Sequence, residues 1–252
     1  MNKSSGGDKH FHKQGFEITR NVRGFMHQLN EISVEFIDFA HQAPGMVVDM
    51  GSAFGIATIP ILKQGIEVTA CDIEQEHLNE LILRVPAECR LFLQTKAGSF
   101  PEDYNFEKHT IGAILLSHIL HFLTPEKLDM ALDKLSDWVA PQGKIFIVSY
   151  TPYIAPMKDF IPLYEERALS GMKWPYWIVN NIHDYFTGSK EVAENLPDTM
   201  NYLDLPSLSK ALQSRGFIIE MARYLDPDKN QIPQGVRFDG REWCGVIARQ
   251  PD

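Results

Sequence analysis

The residues with the clearest chemical potential lie in the run Val47-Val48-Asp49-Met50-Gly51-Ser52-Ala53-Phe54-Gly55. An apolar strand ending in a glycine-bearing turn lets the backbone approach a ligand closely and aims the next helix's N–H groups at it. That suits a nucleotide-like ligand. The dinucleotide pattern G-x-G-x-x-G is not met, because counting from Gly51 the second and third glycine positions hold Ala53 and Ile56. This disfavours a nicotinamide-dependent oxidoreductase. The run instead places an acid two residues ahead of alternating small residues, Asp49-x-Gly51-x-Ala53-x-Gly55. Downstream, His118 and His121 follow an apolar run and offer imidazoles that exchange protons near neutral pH. Histidines at such places also cap helices or fill cores. A metal pair is discounted, because no third ligand lies within sequence reach.

These residues need a frame. From Glu17 to Gln42 the apolar positions Ile18, Val22, Phe25, Met26, Leu29, Ile32, Phe36 and Ile37 recur at helical spacing, predicting one helix stopped by Ala43-Pro44-Gly45. Then the period changes. Met46 to Met50 reads as a buried strand, and Phe54 to Gln64 as a helix packed back on it, with Pro60 awkward inside. Ile66 to Asp72, Arg90 to Gln94, Ile111 to Ser117 and Lys144 to Tyr150 read as further strands. Between them Glu74 to Leu83 and Pro125 to Trp138 read as helices, the second capped by Thr124. Such alternation predicts an α/β fold: a Rossmann-like, doubly wound, mostly parallel sheet. From Thr151 to Leu203 the rhythm breaks into an aromatic- and proline-rich stretch without a strand signature. A helix over Leu205 to Arg215 and strands over Phe217 to Tyr224 and Trp243 to Arg249 complete seven strands. The expected division is a leader and helix over 1–45 and a main domain over 46–252, with 151–204 as a substrate-cap insertion.

In this order the segments resemble the class I S-adenosylmethionine-dependent methyltransferases, whose first motif is [D/E]-x-G-x-G-x-G. Thr95-Lys96-Ala97-Gly98-Ser99-Phe100-Pro101 is similar to the family's G-D-A-x-x-L-P segment, which flanks the adenine. Leu116 to Leu123 resembles the stretch ending strand four, and Val139-Ala140-Pro141-Gln142-Gly143-Lys144 the L-K-P-G-G-x turn before strand five. The resemblance covers roughly Met46 to Tyr150 and the final strands. It implies S-adenosyl-L-methionine as cofactor and S-adenosyl-L-homocysteine as product. Cofactor contacts would come from Asp49, Gly51, Ser52, Ala53, Gly55, Ile73, Lys96, Ala97 and Ser117. Asp72, at the end of strand two, would accept hydrogen bonds from both ribose hydroxyls. Three departures stand out. Ala53 adds a methyl group where the family has glycine. Lys96 replaces an aspartate that often binds the adenine amino group, and lysine has no acceptor. Gly112 stands where an aspartate commonly opens strand four.

Methyl transfer from a sulfonium is a direct displacement, which needs an aligned nucleophile, excluded water and often the removal of one proton. His118 and His121 are the candidate catalytic residues. In the insertion, Tyr153, Phe160, Tyr164, Trp174, Tyr176, Trp177, Tyr185 and Phe186 would close over an apolar acceptor or form the segment's own core. Arg167 and Lys173 are open to a substrate carboxylate or to solvent. The resemblance further implies that the N-terminal helix, with His10, His12, Arg20 and Arg23 near its start, covers the cofactor. Strand four is followed neither by an [N/D/S]-P-P-[Y/F/W] turn nor by Pro-Cys, which disfavours methylation of adenine amino groups and cytosine C5. A formal net charge of −9 argues against a sequence-independent grip on nucleic acid and gives no attraction to anionic membranes. Cys71, Cys89 and Cys244 are scattered, as reduced thiols in a cytoplasmic protein are. Met1 to Gln14 lacks an apolar signal core, and no apolar run reaches membrane-span length. The expectation is an O- or N-methyltransferase acting on a small, partly apolar metabolite, without nucleic-acid or membrane partners. The alternatives are a non-catalytic module binding S-adenosylmethionine or S-adenosylhomocysteine, and methylation of a protein or RNA component.

Overall fold

A computed structural model describes residues 17–18, 25–26, 28–178, 182–188, 190–193, 196–197 and 199–252. Its first elements are a short antiparallel pair, β1 (Glu17–Ile18) and β2 (Phe25–Met26), followed by helix α1 (Glu31–Phe39). The single helix expected from Glu17 is therefore corrected in its first half. Asn30 is the reason: its side-chain oxygen accepts from the Ser33 N–H at 2.9 Å. An N-cap asparagine in extended conformation starts a helix and blocks its extension backwards.

The next elements are β3 (Met46–Met50), α2 (Thr58–Leu62), β4 (Val68–Asp72), α3 (Gln75–Arg84), β5 (Leu93–Ala97), β6 (Ile111–Ser117), α4 (Pro125–Trp138) and β7 (Val139–Tyr150). Helix α2 starts four residues later than Phe54. This places Pro60 in the first turn, where a missing N–H leaves no helical bond unmade. Strand β5 is displaced from Arg90–Gln94, since Ala87–Phe92 coils into a 3-10 turn. Lys96 and Ala97 consequently end the strand rather than follow it. Pro141-Gln142-Gly143 turns the chain as expected, between the partners of Ile111 (Val139) and Ala113 (Lys144).

The insertion holds helix α5 (Ile161–Leu169), strand β8 (Trp177–Ile178), the short helix α6 (Lys190–Ala193) and strand β9 (Met200–Asn201). β8 and β9 pair antiparallel, a two-residue ladder that the absence of strand signature did not predict. Helix α7 (Leu205–Gln213), β10 (Ile218–Tyr224) and β11 (Trp243–Arg249) complete the chain.

Seven strands lie in the order β10-β11-β7-β6-β3-β4-β5. All run parallel except β11, which is antiparallel to both neighbours. Period-two alternation splits the core between the two faces. Val48, Met50, Leu116, Ile145 and Ile147 pack with α4, α7 and the insertion. Val47, Ala113, Leu115, Phe146 and Val148 pack with α1, α2 and α3. From β3 the chain steps outward through β4 to β5, then returns to β6 on the other side of β3. That reversal opens a crevice at the carboxyl ends of β3 and β6, where ligands of doubly wound sheets bind.

Candidate cofactor and acceptor site

The glycine loop leaves β3 at this crevice. The Gly51 and Ser52 N–H groups both donate to the Cys71 carbonyl, at 2.8 and 2.9 Å. Gly51 has φ +79, and a Cβ there would stand 2.4 Å from Ile119 Cγ2. At Gly55, with φ +84, a Cβ would stand 2.1 Å from Leu81 Cδ1. Both glycines are thus favoured by conformation, and Gly51 by space as well, since at Gly55 the Leu81 methyl can give way. Ala53 also lies in the left-handed region, with φ 44, a conformation costing an L-residue about 1–2 kcal/mol. Its N–H donates to Asp72 Oδ2 at 2.9 Å, tying the loop to the end of β4.

Asp72 is almost fully buried. Besides Ala53, its Oδ1 accepts from the Glu74 N–H at 3.0 Å and lies 2.9 Å from His77 Nδ1. Three of roughly four lone-pair positions are therefore taken by protein groups. His77 escaped the sequence reading, although its place in the first turn of α3, five residues after Asp72, was visible. Asp49 is buried as well and accepts from Thr58 Oγ1 at 2.6 Å. Burial raises its pKa to about 6; the Thr58 hydrogen bond opposes the shift and the nearby Asp72 charge adds to it.

On the β5 side, Ile73 is 61% exposed, an apolar surface directly beside Asp72. Lys96 and Ala97 are exposed too. Lys96 Nζ rests over the rings of Tyr104 and Phe106, 5.3 and 5.4 Å from their centroids. The Lys96 carbonyl accepts from the Tyr104 hydroxyl at 2.9 Å. Asp103, not singled out by sequence, brings a carboxylate beside Gly98 and accepts from the Ser99 N–H at 2.8 Å. In the loop, the buried Ser52 Oγ has no hydrogen-bond partner among the described residues. An unpartnered hydroxyl in a glycine cradle, a strand-end carboxylate and an exposed isoleucine suit a polar nucleoside derivative with a flat base. These residues fit the cofactor.

A second cluster lies at the ends of β6 and β7. His118 has φ 57, and its N–H donates to the Val148 carbonyl at 2.8 Å. Its ring centroid is 4.4 Å from Trp243, 4.9 Å from Tyr150 and 6.4 Å from His121. His121 is buried, 5.4 Å from Tyr150. The two predicted histidines therefore share one aromatic partner. Trp243 reaches this edge only because β11 runs backwards, pairing Trp243 with Tyr150. Burial raises the Tyr150 pKa, so its phenol stays protonated at neutral pH. Ser117 is approached by Asn30 Nδ2 at 3.5 Å, which links α1 to the end of β6. Buried Glu242, next to Trp243, accepts from the Phe238 and Gly240 N–H groups through Oε1, and its Oε2 has no partner among the described residues. Sequence reasoning missed Tyr150, Trp243 and Glu242. Tyr150 alone had a signal, as the last residue of strand five.

The insertion's aromatics divide. Tyr153, Phe160, Tyr164, Trp174 and Tyr176 are buried in the core shared with α7. Tyr164 and Tyr224 donate to the two oxygens of Asp204 at 2.7 and 2.6 Å, and Tyr176 donates to Ser207 Oγ at 2.7 Å. Trp177, Tyr185 and Phe186 are only partly buried. Arg167 donates to the Trp177 carbonyl at 2.9 Å, and Lys173 pairs with Asp129 at 2.7 Å. His10, His12, Arg20 and Arg23 lie outside the described residues. Among the described residues, no helix is long and apolar enough to cross a membrane.

Comparisons with known proteins agree with this fold. A family profile described as a methyltransferase domain matches residues 22–220. The tRNA N(3)-cytidine methyltransferase METTL2 of Danio rerio is 23% identical over 208 residues, covering 74% of this chain and 57% of that protein. The chain spans about half the length of the curated relatives it matches. Among solved structures, a SAM-dependent methyltransferase from Methanosarcina mazei superposes with a TM-score of 0.61 at 15% identity, covering 89% of this chain and 99% of that one. The 1,6-didemethyltoxoflavin-N1-methyltransferase of Burkholderia thailandensis, solved with its substrate and S-adenosylhomocysteine, gives 0.56 at 18% identity, covering 88% and 80%. With its ordered motifs, its seven-stranded sheet and a matching profile over most of its length, the chain belongs to the methyltransferase-domain family, and its fold is that of S-adenosylmethionine-dependent methyltransferases.

Proposed function

We propose that the protein moves a methyl group by direct displacement to a nitrogen or oxygen of a small, partly apolar acceptor. The observation carrying this reading is the His118–His121–Tyr150–Trp243 cluster at the same sheet edge as the glycine loop. When bound, S-adenosylmethionine supplies an electrophilic methyl group on a sulfonium. Asp72, Ile73, Lys96 and Ala97 hold its nucleoside, while Asp49, Gly51, Ser52, Ala53, Gly55 and Ser117 surround the remainder. His118 or His121 takes the acceptor's proton through an imidazole nitrogen. Protonated Tyr150 donates a hydrogen bond and orients the acceptor. Residues 151–204 act as the substrate cap, excluding water from the displacement. The three cysteines are buried free thiols, in keeping with a reducing, cytoplasmic setting.

A second reading has specific support. The matched relative in Danio rerio is named for N(3) of cytidine in tRNA. The net charge of −9 weighs against an RNA acceptor, which leaves the small molecule ahead. Incubating the protein with labelled S-adenosylmethionine and separate pools of metabolites, tRNA and protein tests both. Label should enter the metabolite pool. Label only in tRNA would replace the first reading with the second. Retained S-adenosylhomocysteine with no transfer to any pool would mark a non-catalytic binding module.

A further inference from the structure

Asn201 is completely buried, and neither Nδ2 nor Oδ1 has a hydrogen-bond partner among the described residues. The contrast with two other buried asparagines is sharp. Asn30 engages Ser33 through Oδ1, and Asn230 engages the Glu31 N–H, the Glu31 carboxylate and the Asp226 carbonyl. Leaving a buried amide unpaired forfeits the hydrogen bonds it made with water, so an unpaired one calls for an explanation. Its place in the fold supplies one. Strand β9, which carries Asn201, packs against the 3-10 turn Leu120–Phe122 that carries His121. Two residues on, the Leu203 N–H donates to the Tyr150 carbonyl at 3.1 Å. The strand that carries Asn201 is therefore anchored beside the turn that carries His121 and the end of β7, from the insertion side.

We propose that Asn201 recognises a neutral, planar acceptor bearing an N–H beside a C=O, as in a lactam or the edge of a nitrogen heterocycle. This deepens the methyltransferase reading and rests on it. A primary amide presents a donor and an acceptor side by side, and such an edge offers the complementary pair. Neutrality is in keeping with the insertion's cations, since Arg167 is committed to the Trp177 carbonyl and Lys173 to Asp129, and Lys158 and Lys190 are exposed. The aromatic rings around Tyr150 supply the flat apolar walls.

The test uses the full chain saturated with S-adenosylhomocysteine and two probes of similar shape, 2-pyridone and naphthalene, followed by ligand-observed NMR. Wild type should bind 2-pyridone saturably. Asn201→Leu and Asn201→Asp should each weaken it at least tenfold, with naphthalene and S-adenosylhomocysteine binding unchanged. Asn201→Leu should melt at the wild-type temperature or above, because it removes an unpaired amide. Unchanged 2-pyridone affinity in both variants, no 2-pyridone binding by wild type, or a clearly lower melting temperature for Asn201→Leu would overturn this inference alone. Failure of wild type to bind S-adenosylhomocysteine would overturn the methyltransferase reading, and this inference with it.

Discussion

His77 Nδ1 and Asp72 Oδ1 lie 2.9 Å apart, both almost wholly buried, and hold the strand-end carboxylate in one orientation. The Phe54 ring packs edge-on against His77, 5.4 Å away, so a residue of the glycine loop in turn fixes the imidazole. The carboxylate, the imidazole and the loop form one unit. Asp72 also takes the Ala53 N–H, so its position and the loop's are coupled.

Replacing His77 with Ala removes a hydrogen bond to a charged group, worth about 1.5–3 kcal/mol. Calorimetric titration well below the melting temperature should show S-adenosylhomocysteine binding weakened about tenfold. His77→Gln should recover part of the loss. A lowered melting temperature with unchanged affinity would confine His77 to a structural role.

Ala53→Gly should relieve the left-handed strain at φ 44 and shift stability by no more than about 1 kcal/mol, since glycine's added freedom in the unfolded chain offsets the gain. Gly51→Ala meets Ile119 Cγ2 at 2.4 Å and should lower stability by well over 1 kcal/mol. Urea denaturation separates the two. Equal effects would show that position 51 does not need its glycine.

Asp49 carries a pH signature. Its folded pKa, about 6, lies above the ordinary carboxylate value. Below the ordinary value, both states hold the proton. Between there and about 6, only the folded state does, so unfolding releases a proton and stability falls as pH rises. Above about 6, both states are ionised and this contribution is level. Asp49→Asn should remove that slope, read as the difference between variant and wild type in denaturation series from pH 4.5 to 7.5. A difference independent of pH would show that Asp49 does not titrate in that window.

Asp204 holds the insertion to the sheet, because Tyr164 and Tyr224 both donate to it. Asp204→Ala leaves two phenols without their acceptor and also removes the N-cap of α7. A loss of about 3 kcal/mol or more is expected, seen as melting about 6–12 °C lower. Tyr224→Phe, which removes one donor, should cost less.

The order of elements and the strand-end positions of the candidate cofactor residues were legible in the sequence for a local reason. Asp49, Gly51, Gly55 and Asp72 lie at or beside strand ends, which the change from period two to helical spacing marks, and their placement depends on backbone conformation within a few residues. Where a competing local signal intervened, boundaries moved: Asn30 truncated the first helix, Pro60 delayed α2, and a 3-10 turn displaced β5. The acceptor side is a different matter. Trp243 meets His118 only because β11 enters the sheet backwards, and the strand carrying Asn201 nears the turn carrying His121 only because the insertion folds its last strand onto the turn after β6. Those juxtapositions span many tens of residues, and burial against the rest of the chain produces them. Composition and spacing determined that a glycine loop would form at the end of β3. Tertiary packing alone decided which polar groups would be brought to the histidine–aromatic cluster and which would be left buried without a partner among the described residues.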